Sequence, residues 1–179
     1  MTNGNVLFVI PNKGFQHVEY GVPKQILEDA GYSVVTASDA PTPATGKDES
    51  TTPVDITLEQ VNVENYHGIF FIGGPGTLEH LDNKKSYRII RESADAGLPF
   101  GAICIATRIL AKSGALNGKH ATGWDGDSQL ESIYQENGAI YQRNDIVTDN
   151  NIITATGPHA AKEFGERIIA AMQDHKGWG

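Results

Sequence analysis

The chain contains a single cysteine, Cys104, and its sequence neighbours decide what that thiol can do. In "PFGAICIATRILAKSGAL" (99–116) an apolar run ends at Cys104 and a helical pattern begins directly after it. A residue on such a strand-to-helix turn lies where backbone N–H groups and the helix dipole favour an anion, so the thiol's pKa is expected to fall. The N–H of Ile105 would then point toward an oxyanion formed beside the sulfur, which is the logic of a nucleophile elbow. A free cysteine also serves as a small buried hydrophobe. Position alone leaves both readings open.

Two other segments carry groups that suit a reactive thiol. Glu19, in "NKGFQHVEYG", is read as preceding a helix. Beside a buried thiol, desolvation and the thiolate charge would both raise its pKa, leaving a carboxylic acid that hydrogen-bonds the sulfur. Gly73 and Gly74 open "GGPGT", where a backbone N–H can approach closely enough to complete an oxyanion hole, or where the glycines serve only the turn. "GGPGT" is too short for a phosphate loop or a dinucleotide fingerprint, so no nucleotide cofactor is implied.

The elements around these groups set where they meet. Apolar runs at 5–11, 32–38, 67–74 and 99–103 read as strands. Helical patterns cover 22–31, with Pro23 in the first turn and Gly31 as the stop, then 84–97, 105–114, 128–138 and 160–173. "KHATGW" reads as a short strand and "DIVTDNNIITAT" as a hairpin turning near Asn150 and Asn151. The Thr-, Pro-, Ser- and Asp-rich stretch 38–53 reads as a loop, the least ordered part of the chain. Apolar strands alternating with helices predict an α/β fold, a doubly wound sandwich with a mostly parallel central sheet, helices on both faces and a small antiparallel hairpin. Ligands bind outside the carboxyl ends of such strands, so Glu19, Gly73–Gly74 and Cys104 are expected to share one edge of the sheet.

Bulk composition narrows the function classes. At 179 residues, 39% hydrophobic and 20% charged, the chain reads as one globular domain over 1–179 with a real core. A net charge of -8 without clustered Lys and Arg argues against nucleic acid as a partner. No apolar run reaches membrane-span length, no basic region precedes the first strand, and a lone cysteine suits a reducing compartment, so a cytoplasmic location without a membrane partner is expected. The six histidines are scattered without metal-ligand spacing, so no metal is expected.

"VEYGVPKQILEDAGYSV", "IFFIGGPG", "GAICIATRILAKSGALNGKHATGW" and "DNNIITATGPHAAKEFGERIIAAM" together resemble the ThiJ/PfpI superfamily over nearly the whole chain. The resemblance implies a flavodoxin-like sandwich of the class I glutamine amidotransferase-like type, usually a homodimer or higher homo-oligomer. By position, Cys104 resembles the family's elbow nucleophile and Glu19 its protonated acid, with Gly74 and Ile105 as the oxyanion N–H donors. The protease-like branch has a histidine where this chain has Ile105, and another branch keeps one near Trp124, whose indole can only donate. His17 and His159 are the candidate substitutes, and Asp125 could face the same pocket.

These parts predict an enzyme whose thiol adds to a small reactive carbonyl, with Glu19 moving the proton, as in glyoxalase- or deglycase-like chemistry on 2-oxoaldehydes. An amidase or protease-like hydrolase would need a histidine near the sulfur. A redox-sensing or stress-protective protein would use the thiol's oxidation instead.

Overall fold

A computed structural model describes residues 1–176. Seven strands form the main sheet: β1 (Asn5–Ile10), β2 (Ser33–Ser38), β3 (Ile56–Thr57), β4 (Gly68–Phe71), β5 (Phe100–Ile103), β6 (Ile146–Asp149) and β7 (Ile152–Ala155). Their order is β6-β7-β5-β4-β1-β2-β3. All pairings are parallel except β6 with β7, the hairpin, whose turn places Asn150 at φ 54. Asparagine tolerates that left-handed conformation because its side chain is short and polar.

The central strands are apolar without a break because both faces are covered. Val6, Phe8 and Ile10 of β1 join one core cluster with α1 (His17–Asp29) and α6 (Ala161–Lys176), while Leu7 and Val9 join the other. That second face packs against α3 (Lys84–Asp95), α4 (Thr107–Ser113) and α5 (Leu130–Glu136), with the short α2 (Thr77–Leu81) at its edge. Successive side chains point to opposite faces of a strand, so one run of sequence feeds two cores. No helix among the described residues is long and apolar enough to cross a membrane.

Three elements differ from the sequence reading. Helix α1 begins five residues earlier than the predicted 22–31, because Gln16 Oε1 accepts the N–H groups of Val18 at 2.6 Å and Glu19 at 3.0 Å and caps it there. Glu19 therefore lies inside the first turn, and Pro23 falls mid-helix, where it offers no N–H to the Glu19 carbonyl one turn back. Stretch 38–53 is not a structureless loop. Its Ala44–Gly46 pairs with Lys13–Phe15 and with Thr51–Thr52 in a small three-stranded sheet. The "KHATGW" strand is only His120–Ala121, paired with Ile140–Tyr141.

Candidate active site

Cys104 follows β5 directly and sits in the left-handed region at φ 63, one of four non-glycine residues with positive φ among the described residues. That conformation costs about 1–2 kcal/mol in an L-residue other than glycine. Three hydrogen bonds hold the strained turn by its carbonyl, from the Thr107 N–H, from Thr107 Oγ1 at 3.0 Å and from the Trp124 N–H at 3.2 Å. A single 3₁₀ turn, Cys104–Ala106, follows before α4 begins, and the Ile105 N–H interacts with the sulfur.

Glu19 is fully buried on α1. Its Oε1 accepts the Gly73 N–H at 3.0 Å, its Oε2 is buried, and the carboxyl interacts with the Cys104 thiol. A Cβ placed on Gly73 would lie 2.6 Å from Glu19 Oε1 and 2.7 Å from Cys104 Cβ. Carboxyl and thiol thus meet across a gap that only glycine leaves open. The adjacent Gly74 needs glycine for a second reason: its φ is 137, and a Cβ there would lie 2.2 Å from the Gly14 carbonyl oxygen. The Gly74 N–H has no hydrogen-bond partner among the described residues, and Gly74 lines the cavity into which Cys104 opens.

Burial dominates the electrostatics. Desolvation raises the Glu19 pKa from 4.5 to about 7, against the lowering effects of the Cys104 interaction, the Gly73 N–H and the Lys47 charge. Burial also pushes the Cys104 thiol up, with the charge of Glu19 as the next cause, and the Ile105 N–H and Arg108 pull the other way. The lowered thiol pKa expected from the helix terminus is therefore reversed. One N–H from a short turn does not offset desolvation beside a carboxylate. A carboxyl of pKa near neutrality next to a neutral thiol is suited to take the thiol's proton as the sulfur attacks.

The cavity at Cys104 has a volume of about 340 Å³, and Glu19, Gly74, Ile105 and Trp124 line it. Gln16, Lys47, Pro75 and Pro158 complete its wall, none of them singled out from the sequence. Trp124 also borders a second cavity of about 440 Å³, on which Asp125 and His159 lie. His159 Nε2 is 3.1 Å from Asp145 Oδ1, and Asp125 Oδ1 accepts the Leu130 N–H at 2.9 Å. His17 lies 3.7 Å from Asp48 and lines neither cavity. The structure thus brings together Cys104, Glu19, Gly74, Ile105 and Trp124, with Gly73 behind them. His17, Asp125 and His159 are placed elsewhere. Behind Trp124, the buried Arg108 forms a two-pronged ion pair with Asp127 at 2.6 and 3.0 Å and lies 5.4 Å from the Trp124 ring.

Gly73→Ala tests the close approach. The added methyl must displace the carboxyl or the thiol, so a loss of about 1–3 kcal/mol in stability is expected by denaturant unfolding. Cys104 alkylation in that variant should also lose its dependence on Glu19. A fully stable variant with unchanged alkylation would contradict this geometry.

Known proteins share this fold. An uncharacterised protein of Methanocaldococcus jannaschii is 32% identical over 174 residues, covering 97% of this chain and 84% of its own length. A Pyrococcus furiosus protein named a deglycase is 28% identical over 86% of this chain and 90% of its own. The crystal structure of a ThiJ/PfpI domain protein from Brachyspira murdochii superposes with a TM-score of 0.90 at 25% identity, covering 97% of this chain and 99% of that one. Drosophila melanogaster DJ-1beta shares the fold, with a TM-score of 0.82 at 23% identity over 97% and 95% of the two chains. The sheet order, the elbow after β5 and the match of residues 4–171 to the DJ-1/PfpI family profile lead to one assignment: the chain belongs to the DJ-1/PfpI family.

Proposed function

We propose that this protein is an enzyme acting on 2-oxoaldehydes, with Cys104 as the nucleophile and Glu19 as the proton-transfer group. The observation that carries the reading is the buried Glu19 carboxyl in hydrogen-bonding reach of the strained Cys104, with a pKa of about 7. A group of that pKa gives and takes protons equally well at neutral pH.

The sulfur adds to the aldehyde carbon, the thiol proton passes to Glu19, and Glu19 delivers it to the former carbonyl oxygen. This gives a hemithioacetal and restores the carboxylate. Glu19 then removes the proton on that carbon, and the electron pair moves onto the neighbouring carbonyl, whose oxygen the Gly74 and Ile105 N–H groups would stabilise. Returning the proton to the neighbouring carbon, while the hydroxyl proton of the sulfur-bearing carbon passes to the neighbouring oxygen, leaves a 2-hydroxy thioester, which water cleaves to a 2-hydroxy acid and free Cys104. The sum is one 2-oxoaldehyde plus one water, with no external oxidant or reductant.

Amide hydrolysis is less well supported, because no histidine lines the Cys104 cavity among the described residues. The relative named a deglycase also favours carbonyl chemistry. The test is incubation with methylglyoxal, reading lactate by chromatography and the transient adduct by intact mass. Lactate formation that requires Cys104 is the expected result. A stable species heavier by two oxygens after peroxide, with no lactate, would replace this reading with redox sensing.

A further inference from the structure

The cavity at Cys104 is walled largely by apolar side chains that the fold leaves uncovered. Pro75, Trp124 and Pro158 are exposed and Ile105 is half-buried, and all four line it. Apolar groups gathered around one opening mark a surface that a ligand covers. Among the polar lining residues, Glu19 is committed to Gly73 and Cys104, and Gln16 Oε1 to the start of α1. Lys47 is exposed, and a lysine in that setting keeps its ammonium in water and lends the wall only its stem. The volume of about 340 Å³ is that of about eleven liquid waters at roughly 30 Å³ each, well above what methylglyoxal fills.

Trp124 is the largest of these side chains, and it is fixed in place. Its N–H donates to the Cys104 carbonyl at 3.2 Å, and its own carbonyl accepts from Arg108 Nη2 at 3.4 Å. The buried Arg108, clamped by Asp127, lies over the indole with its guanidinium carbon 5.4 Å from the ring centre. Gly126 supplies a further contact. A Cβ there would collide with indole Cζ2 and lie 2.7 Å from Cε2, so the ring rests where only glycine admits it. An aromatic plate held by backbone, guanidinium and glycine is preorganised, and a ligand packing on it loses little to side-chain ordering.

We infer that Trp124 is the specificity-determining residue of this site and selects 2-oxoaldehydes bearing an aryl group, which packs on the indole while the aldehyde meets Cys104. A substrate attacked at Cys104 has its substituent against this wall, and Trp124 is tied to that residue's carbonyl. Aromatic pairing adds to the gain from burying apolar area, so an aryl group fits the wall better than the methyl of methylglyoxal. The inference rests on the proposed reaction and deepens it by naming the substrate class, whose products are 2-aryl-2-hydroxy acids.

Two measurements separate this inference from the reaction itself. First, phenacyl bromide and bromoacetone alkylate the same thiol and differ only in phenyl against methyl, so their rate ratio reads the wall without any turnover. A change in thiol reactivity cancels in that ratio. Trp124→Ala is expected to lower the phenacyl bromide to bromoacetone ratio by about tenfold, and Trp124→Phe to preserve most of it. Gly126→Ala, outside this cavity, should lower it in the same direction by displacing the indole. Second, phenylglyoxal, read as mandelate, should exceed methylglyoxal in kcat/KM, with the preference carried by KM and reduced in Trp124→Ala. A lowered alkylation ratio without turnover of either aldehyde would retain the apolar wall and reject the reaction. A ratio unchanged in Trp124→Ala, or methylglyoxal used as well as phenylglyoxal, would overturn the aryl assignment while leaving the reaction standing.

Discussion

Cys104→Ala is expected to lose turnover of methylglyoxal by on the order of 10³-fold or more, because no other group on the cavity wall supplies the sulfur that the hemithioacetal and thioester require. The variant should fold as the parent does. The hydrogen bonds from Thr107 and Trp124 that hold the residue's carbonyl at φ 63 do not depend on the side chain. Cys104→Gly relieves the strain as well, and should be more stable than the alanine variant by about 1 kcal/mol in urea unfolding. That pairing separates function from fold: strain kept at a residue whose removal helps stability marks a position held for chemistry. Alanine with parental turnover would remove Cys104 from the mechanism. Glycine less stable than alanine would show that the turn is not strained.

Glu19→Gln should reduce kcat by about 10²- to 10⁴-fold, the usual worth of a placed general base. The same substitution should stabilise the protein, with a definite pH dependence. Folding raises the Glu19 pKa from 4.5 to about 7, so the folded state holds this proton over a range where the unfolded state has released it. Stability contributed by the protonated carboxyl is complete below 4.5 and is lost as pH rises through about 7. Above that, the parent carries a buried carboxylate that the amide variant lacks. Glutamine is therefore expected to be more stable by about 3 kcal/mol near pH 8, with the difference closing toward pH 4. Urea unfolding of both proteins across that range measures it. A difference that grows as pH falls would mean that Glu19 is held as a carboxylate, and the proton-transfer role would fail.

What the sequence could tell differs from residue to residue. The meeting of Cys104, Glu19 and the Gly73–Gly74 turn follows from topology, since parallel strands deliver their carboxyl ends to one edge. The hairpin was readable because Asn150 tolerates positive φ and the flanking runs are apolar. The start of α1 was hidden because its cap is Gln16, outside the usual Ser, Thr, Asp and Asn, and Pro23 resembled a first-turn proline. Lys47 escaped notice because strands of two or three residues carry no detectable alternation, and the sheet that positions it is made of such pieces. His17, Asp125 and His159 were drawn toward the thiol by their chemistry alone. Their actual neighbours, Asp48, Arg143 and Asp145, show that proximity in the chain does not decide which carboxylate a histidine meets or which cation an aspartate meets. The direction of the Cys104 shift was also beyond sequence, because it depends first on how deeply the thiol itself is buried and then on the charge of Glu19 beside it.

The most direct test is the pH dependence of Cys104 alkylation by iodoacetamide, in the parent and in Glu19→Gln. With one thiol in the chain, the signal has one source. The parent rate is expected to rise through a step near pH 7, where Glu19 becomes able to accept the thiol proton. In the glutamine variant that step should vanish, leaving reactivity that rises only above the ordinary thiol range of about 8.5. The same titration in both proteins would contradict the coupling of Cys104 to Glu19 on which the proposed reaction rests.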